Sequence, residues 1–290
     1  MEVSKVKDPV VDALPPPIAA SVVPPPAPAP VKTDISASSV PKVVFIVPYR
    51  NRAVHKEELL KNMDVLLEGH KGKYAFFFAH QCNRLPFNRG AMKNIGFLAI
   101  KDKYPQHYKD MAFIFHDVDS WPREKGLIDY MTLPEPGFVR HFYGYQWCLG
   151  GMFSIRGSDF EKTGGFPNFW GWGLEDNVIH TRCIKAGLVI DRRCFFKISD
   201  HRIVRLFDGM ERLMSKRELV IYKKENPDGI AHIHNLAWNI ENEFVNITSF
   251  ATGTKPGDLD FEKYDIRKGN KILLPKGQSR RSWKMSRMFN

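Results

Sequence analysis

Side chains able to do chemistry fall into four short stretches of this 290-residue chain. In "NFWGWGLEDNVIH", residues 168–180, Trp170 and Trp172 stand close to the paired carboxylates Glu175 and Asp176. Tryptophan is usually hidden, whereas carboxylates usually seek water. In one reading the tryptophans anchor a core beside an acidic helix start, where the helix dipole favours negative charge. In the other, aromatic faces hold a substrate for a carboxylate acting as general base.

The second stretch is "FIFHDVDSWP", residues 113–122, an apolar run ending in Asp117-Val118-Asp119. Residues two apart on a strand point the same way, so both carboxylates can meet one divalent cation. Magnesium or manganese held in this way bridges to substrate phosphates. The third, "PYRNR", presents Arg50, Asn51 and Arg52 after Pro48. Guanidinium forks suit phosphate or carboxylate oxygens, though a solvated loop explains the stretch as well. The fourth, "LPFNRG", sets Asn88 and Arg89 at a helix start. Free amides there favour an anion, and an N-cap beside a surface arginine is the plainer alternative.

Periodicity supplies the elements that must carry these groups. Residues 42–49 and 73–81 read as buried strands, and 111–119 as a third strand. Between them, "HKEELLKNMDVLLEGH" and residues 88–104 have helical spacing, with Asn88 as N-cap. Strand, helix, strand, helix, strand predicts a doubly wound α/β fold with a mostly parallel central sheet, and ligands at the carboxyl ends of its strands. The second half is smaller and mixed. "GFVRHFYG", "GGMFSIR", "LVIDRR" and "FFKIS" read as strands. Ser158 to Glu161 has the form of a capping box. A helix is expected from Leu174 to a stop at Gly187, and a late helix over "MERLMSKRELVIYKKE".

Taken in order, "PYRNR", "FNRG", "DVD", "LGGMFS" and "GGFPNFWGWGLED" resemble the motifs of the β-1,4-galactosyltransferase family, over residues 42–250. The resemblance implies the nucleotide-sugar transferase fold called GT-A. It also implies inverting transfer from a UDP-sugar to a glycan or glycoconjugate hydroxyl, with manganese. Pro48, Arg50 and Arg52, with Phe87, Asn88 and Arg89, would hold the uridine diphosphate end. Asp117, Val118, Cys148, Gly150 and Gly151 would complete the nucleotide-sugar site. Asp119 and His201 would be metal ligands. Asp176 would be the catalytic base, Glu175 would bond sugar hydroxyls, and Trp172 would close over the substrates on Gly171 and Gly173 as hinges. Packing is the expected role of Trp170.

Four departures from the family pattern carry expectations. Ile198 stands where a metal-binding methionine would fall, so magnesium is expected to serve beside manganese. Cys148 replaces a tyrosine that crowds the donor's C2 substituent, so UDP-GalNAc is expected as a donor alongside UDP-galactose. Asn177 replaces a third acid. The family's membrane anchor is replaced by a proline-rich stretch, "LPPPIAASVVPPPAPAPVK".

The domain reading is a Pro-rich tether over 1–41, a catalytic domain over 42–255 and a basic tail over 256–290. No run approaches the ~18 apolar residues of a membrane span, and no signal peptide is evident. The expectation is a soluble protein of the cytoplasm or of a particle. Cys82, Cys148, Cys183 and Cys194 have no paired spacing and read as free thiols. The net charge of +11 fits anionic substrates and leaves nucleic acid as a less favoured partner. A nucleotide-sugar binding module without turnover is the other alternative.

Overall fold

The computed structural model describes residues 40–222 and 228–267. The expected tether, apart from its last two residues, and the basic stretch 268–290 lie outside them. The chain folds around β1 (Val43–Tyr49), in which every residue is buried. Val44 and Ile46 pack on one side with Ala91, Met92 and Ile95 of α2 (Arg89–Lys103). Val43, Phe45 and Val47 pack on the other side with Leu59 and Met63 of α1 (Ala53–Leu66). A strand covered on both faces has no solvent side, so its run is continuously apolar rather than alternating.

The remaining elements follow in chain order. They are β2 (Tyr74–Gln81), β3 (Ala112–His116), β4 (Ser120–Pro122), β5 (Phe138–Gly144), β6 (Met152–Arg156), α3 (Gly157–Thr163) and α4 (Glu175–Lys185). Then come β7 (Val189–Asp191), β8 (Phe196–Lys197), β9 (Ile203–Arg205), β10 (Glu211–Ser215), α5 (Lys216–Tyr222), β11 (His234–Glu241), β12 (Phe244–Ala251) and β13 (Phe261–Asp265). The central sheet has the order β11-β12-β2-β1-β3-β6-β5-β7, with β8 also on β5. β1 is parallel to β2 and β3, with Ile46 opposite Phe77 and Phe115. β6 runs antiparallel between β3 and β5. This is the expected mixed α/β fold with a mostly parallel sheet.

Three local expectations change. β3 ends at His116, so Asp117 and Asp119 lie in the turn beyond it and not on a strand. The expected capping box does not form: α3 starts at Gly157 after Arg156, with no side-chain cap, and Ser158 is inside the helix. The expected late helix divides into β10 and the short α5, because β10 finds a partner in β13. That pairing is long-range, and no local period reports it. β13 also lies past residue 255, inside the stretch read as a tail. The β11–β12 hairpin, which extends the sheet beyond β2, had no counterpart in the sequence reading. All four cysteines are free. No helix of the described residues is long and apolar enough to cross a membrane.

Candidate active site

The site is assembled on the N-terminus of α2. Asn88 caps this helix by accepting the Ala91 N–H at 2.8 Å, and its amide donates to the Asn168 carbonyl at 3.0 Å. The cap therefore ties α2 to the tryptophan segment 80 residues on. Arg89, the first helical residue, then reaches three carboxylates. Its Nη1 lies 2.7 Å from Glu175 and 3.0 Å from both oxygens of Asp176, and its Nη2 lies 2.5 Å from Asp117. Lys93, one turn along α2 and buried, adds a contact to Asp176 at 3.2 Å and lies over the Phe166 ring.

Burial alone would weaken the Arg89 cation, but the charges of Asp117, Asp176 and Glu175 hold its pKa well above the ordinary value. Burial likewise opposes ionisation of Asp117, and Arg89 and Lys93 outweigh it, so that carboxyl is held below its usual range. Three of the four sequence clusters thus meet at one guanidinium. Lys93 was not anticipated; its position four residues after Arg89, on the same helix face, was the available signal.

Glu175 and Asp176 open α4, whose N-cap residue Leu174 offers no side-chain cap. The acidic pair are first-turn acids of α4 that also pair with Arg89 and Lys93 of α2. The Leu149 N–H donates to the Asp176 carbonyl at 2.9 Å and brings the Gly150-Gly151 pair against α4. A Cβ on Gly150 would stand 2.6 Å from Asp176 Oδ2, so any larger residue there would displace this carboxylate. His141 Nε2 is 3.1 Å from the Gly150 carbonyl, and burial keeps this imidazole neutral by lowering its pKa to about 4. Cys148 is buried beside them, and burial pushes its thiol up to about 12, so it is a neutral wall.

Asp119 is not among the acids paired with Arg89. Its ion-pair partner is Arg205, 3.9 Å away. Burial, then the charge of Asp117, pushes the Asp119 carboxyl up to about 6. A buried carboxylate so disfavoured as an anion is one that a divalent cation would suit. His201 is not set beside it. β4 pairs with β9 in a register that places Arg205 opposite Ser120 and Ile203 opposite Pro122. The Leu206 N–H donates to the Asp119 carbonyl at 2.7 Å, whereas the His201 carbonyl lies against Arg123. The His201 ring is exposed, 3.9 Å from Asp200. Among the described residues, no group of three or more His, Cys, Asp or Glu side chains is gathered for a metal.

Pro48 is buried within β1, and Val118 packs on the α1 side of the core. The Arg50 guanidinium lies over the Phe87 ring at 5.1 Å and donates to the Leu85 carbonyl at 2.6 Å. Arg52 pairs with Asp208. A cavity of about 900 Å³ at this end is lined by Arg52, Tyr49, His55, His80 and Phe244 among others, and not by Asp117, Asp119 or Asp176. Trp170 is a packing residue: it is buried, stacks on Phe250 at 5.2 Å and donates its indole N–H to the Thr254 carbonyl at 2.8 Å. Trp172 is exposed, as are the stacked rings of Tyr145 and Trp147, 4.9 Å apart. Asn177 donates weakly to the Trp147 carbonyl.

Residues 33–129 match the N-terminal region of glycosyl transferase group 7, and residues 138–205 match the N-terminal domain of galactosyltransferase. The chain is 28% identical over 218 residues to β-1,4-galactosyltransferase 5 of Sus scrofa, covering 71% of this chain and 53% of the relative. It is 30% identical over 162 residues to β-1,4-galactosyltransferase 7 of Drosophila melanogaster, covering 53% of this chain and 48% of the relative. The chain thus spans about half the length of the curated relatives it matches. Among solved structures it is similar to a mutant of Drosophila β-1,4-galactosyltransferase 7 in complex with manganese, UDP-Gal and xylobiose. The TM-score is 0.54 at 19% identity, over 80% of this chain and 99% of that one. The fold is shared with that structure, and the two group 7 matches, one containing Arg89 and Asp117 and the other Glu175 and Asp176, together span more than half of the sequence. The chain belongs to the β-1,4-galactosyltransferase family, glycosyltransferase group 7.

Proposed function

We propose that the protein is an inverting glycosyltransferase that moves galactose or N-acetylgalactosamine from a UDP-sugar to a hydroxyl of a glycan acceptor. The observation that carries this reading is the convergence of Asp117, Glu175 and Asp176 on Arg89, with Asp176 against the Gly150 backbone. The solved relative bound to manganese and UDP-Gal supports the donor class.

Asp176 is the general base. It would take the acceptor proton as the hydroxyl attacks the anomeric carbon. Arg89 and Lys93 fix the position of its carboxylate, and substrate hydroxyls would exchange with some of their contacts. Arg50, Phe87 and Arg52 stand at the end of β1, where a nucleotide diphosphate would lie. Asp119 would hold a manganese or magnesium ion together with diphosphate oxygens and water. Such an ion supplies electrostatic relief to the leaving diphosphate. Trp172, with the exposed pair Tyr145 and Trp147, offers aromatic faces to an acceptor sugar. The small, neutral Cys148 leaves room for an N-acetyl group on the donor.

The experiment is a matrix of UDP-sugars against manganese and magnesium, with product linkage determined on simple sugar acceptors and D176N as control. Transfer from UDP-galactose or UDP-GalNAc that D176N abolishes is the expected result. Nucleotide-sugar binding without transfer under any metal would replace this reading with a binding module.

A further inference from the structure

Three consecutive amides of the tryptophan segment are held by one stretch of chain. The Trp170 N–H donates to Glu218 Oε1 at 2.7 Å, and the Gly171 N–H donates to Glu218 Oε2 at 2.6 Å. The Trp172 N–H donates to the Leu213 carbonyl at 2.7 Å. Leu213 is in β10 and Glu218 in α5, so the two acceptors belong to a single β-to-α corner. Both oxygens of one buried carboxylate are thereby committed to adjacent backbone donors, a geometry that specifies position as well as strength.

The contact is close enough to dictate residue type. A Cβ on Gly171 would stand 2.7 Å from the Ser215 nitrogen and 2.9 Å from Glu218 Oε2. Gly171 is not in the left-handed region, so it is a glycine for closeness rather than for freedom. Gly173 does have a positive φ, +110°, with open space around it. The Trp172 side chain also has a neighbour on the same corner, the Arg212 guanidinium, 5.9 Å from its ring centroid. β10 is in turn paired along its length with β13. The backbone that carries Trp172 is therefore fastened to a built platform.

We propose that Glu218 is a positioning residue for Trp172: it latches the tryptophan segment onto the β10–α5 corner, so that Trp172 takes its place from that corner. The kinetic consequence rests on the transferase reading above; the latch does not.

The test uses the full chain as wild type, E218Q and G171A, with hydrogen–deuterium exchange of the peptide spanning 168–174 and steady-state kinetics. Glutamine keeps the shape but offers one acceptor for two N–H groups. G171A leaves Glu218 intact and pushes a methyl group into the latch. In both variants, exchange at Trp170 and Gly171 should rise by about tenfold, the effect of losing one such hydrogen bond. Peptides from β1 should stay protected, and UDP affinity should be unchanged. The KM for acceptor should rise or kcat should fall. Unchanged exchange at 168–174, or a rise shared equally with β1, overturns the latch. A selective rise with unaltered transfer kinetics overturns the positioning role. Should wild type transfer no sugar, the exchange arm alone still decides the latch, and the failure belongs to the transferase reading.

Discussion

Arg89 is the residue on which most of the site's electrostatics depends. It is largely buried and faces Asp117, Glu175 and Asp176 at once. Removing one partner from a buried ion cluster leaves uncompensated charge and costs about 3–5 kcal/mol. R89M should therefore lose stability on that scale in urea titrations, and should lose transfer even at temperatures where it remains folded. Lys93 cannot replace it, because Lys93 touches Asp176 alone among these acids. Glu218 gives a separate residue-scale prediction. Burial pushes its carboxyl up to about 7; the Trp170 and Gly171 amides oppose this, and the charges of Asp228 and Glu175 add to it. The folded protein thus keeps a proton that the unfolded chain has lost. Stability from this group is greatest below the ordinary glutamate range, falls as pH rises from about 4.5 to about 7, and is level above that. E218Q should remove on the order of 2 kcal/mol of this slope. Comparing urea midpoints of wild type and E218Q at pH 5 and pH 8 checks the sign. Asp119 contributes in the same direction to both proteins and cancels in the comparison.

At the scale of elements, function depends on which turns are pressed together. α4 and the loop before β6 meet where Gly150 faces Asp176. G150A should push the carboxylate off its position and lower kcat by about 100-fold, the cost of roughly an ångström of misplacement. UDP affinity should be preserved, and calorimetric titration beside turnover separates the two. The tryptophan segment is likewise set between elements: the caps and amides of α2 hold Asn168 from one side, and α5 holds Trp170 and Gly171 from the other. Asp228 adds contacts to the Asn168 backbone N–H and side chain at 3.0 and 2.8 Å. The register of β4 on β9 decides which basic group neighbours Asp119, and it selects Arg205.

For the whole molecule, the sheet carries the two halves of the site on its central strands, with helices on both faces. β1 and β3 lie side by side, so the arginines after β1 and the acids after β3 emerge at one edge. Asp119 is costly to ionise without a cation, and a nucleotide diphosphate is costly to place beside it without one. UDP and manganese together should therefore raise Tm by more than the sum of their separate effects. D119N should abolish the excess while leaving the shift from UDP alone. Thermal melts in the four combinations measure this.

Much of the architecture was legible in the sequence because it is written in local pattern. The continuous apolar run of β1, the helical spacing of α1 and α2, and Asn88 as a cap are each set within a few residues. Each reactive stretch has an ordinary reading by itself; it is their order along the chain that pointed to the family. The placement of Asp117 and Asp119 on a strand was not correct, since the point where β3 yields to a turn depends on what pairs with it. Lys93, Glu218 and Asp228 escaped notice for a related reason: a charged residue on a helix or beside a glycine reads as solvated until a partner is seen. The order of motifs along the chain determined the family and the inventory of reactive groups. Only the tertiary structure decided that Arg89 gathers acids 28, 86 and 87 residues away, that Glu218 accepts from the Trp170 and Gly171 amides, and that His201 lies against Arg123 while Arg205 pairs with Asp119. Contacts of that range are set by sheet register and close packing, which no local stretch of sequence encodes.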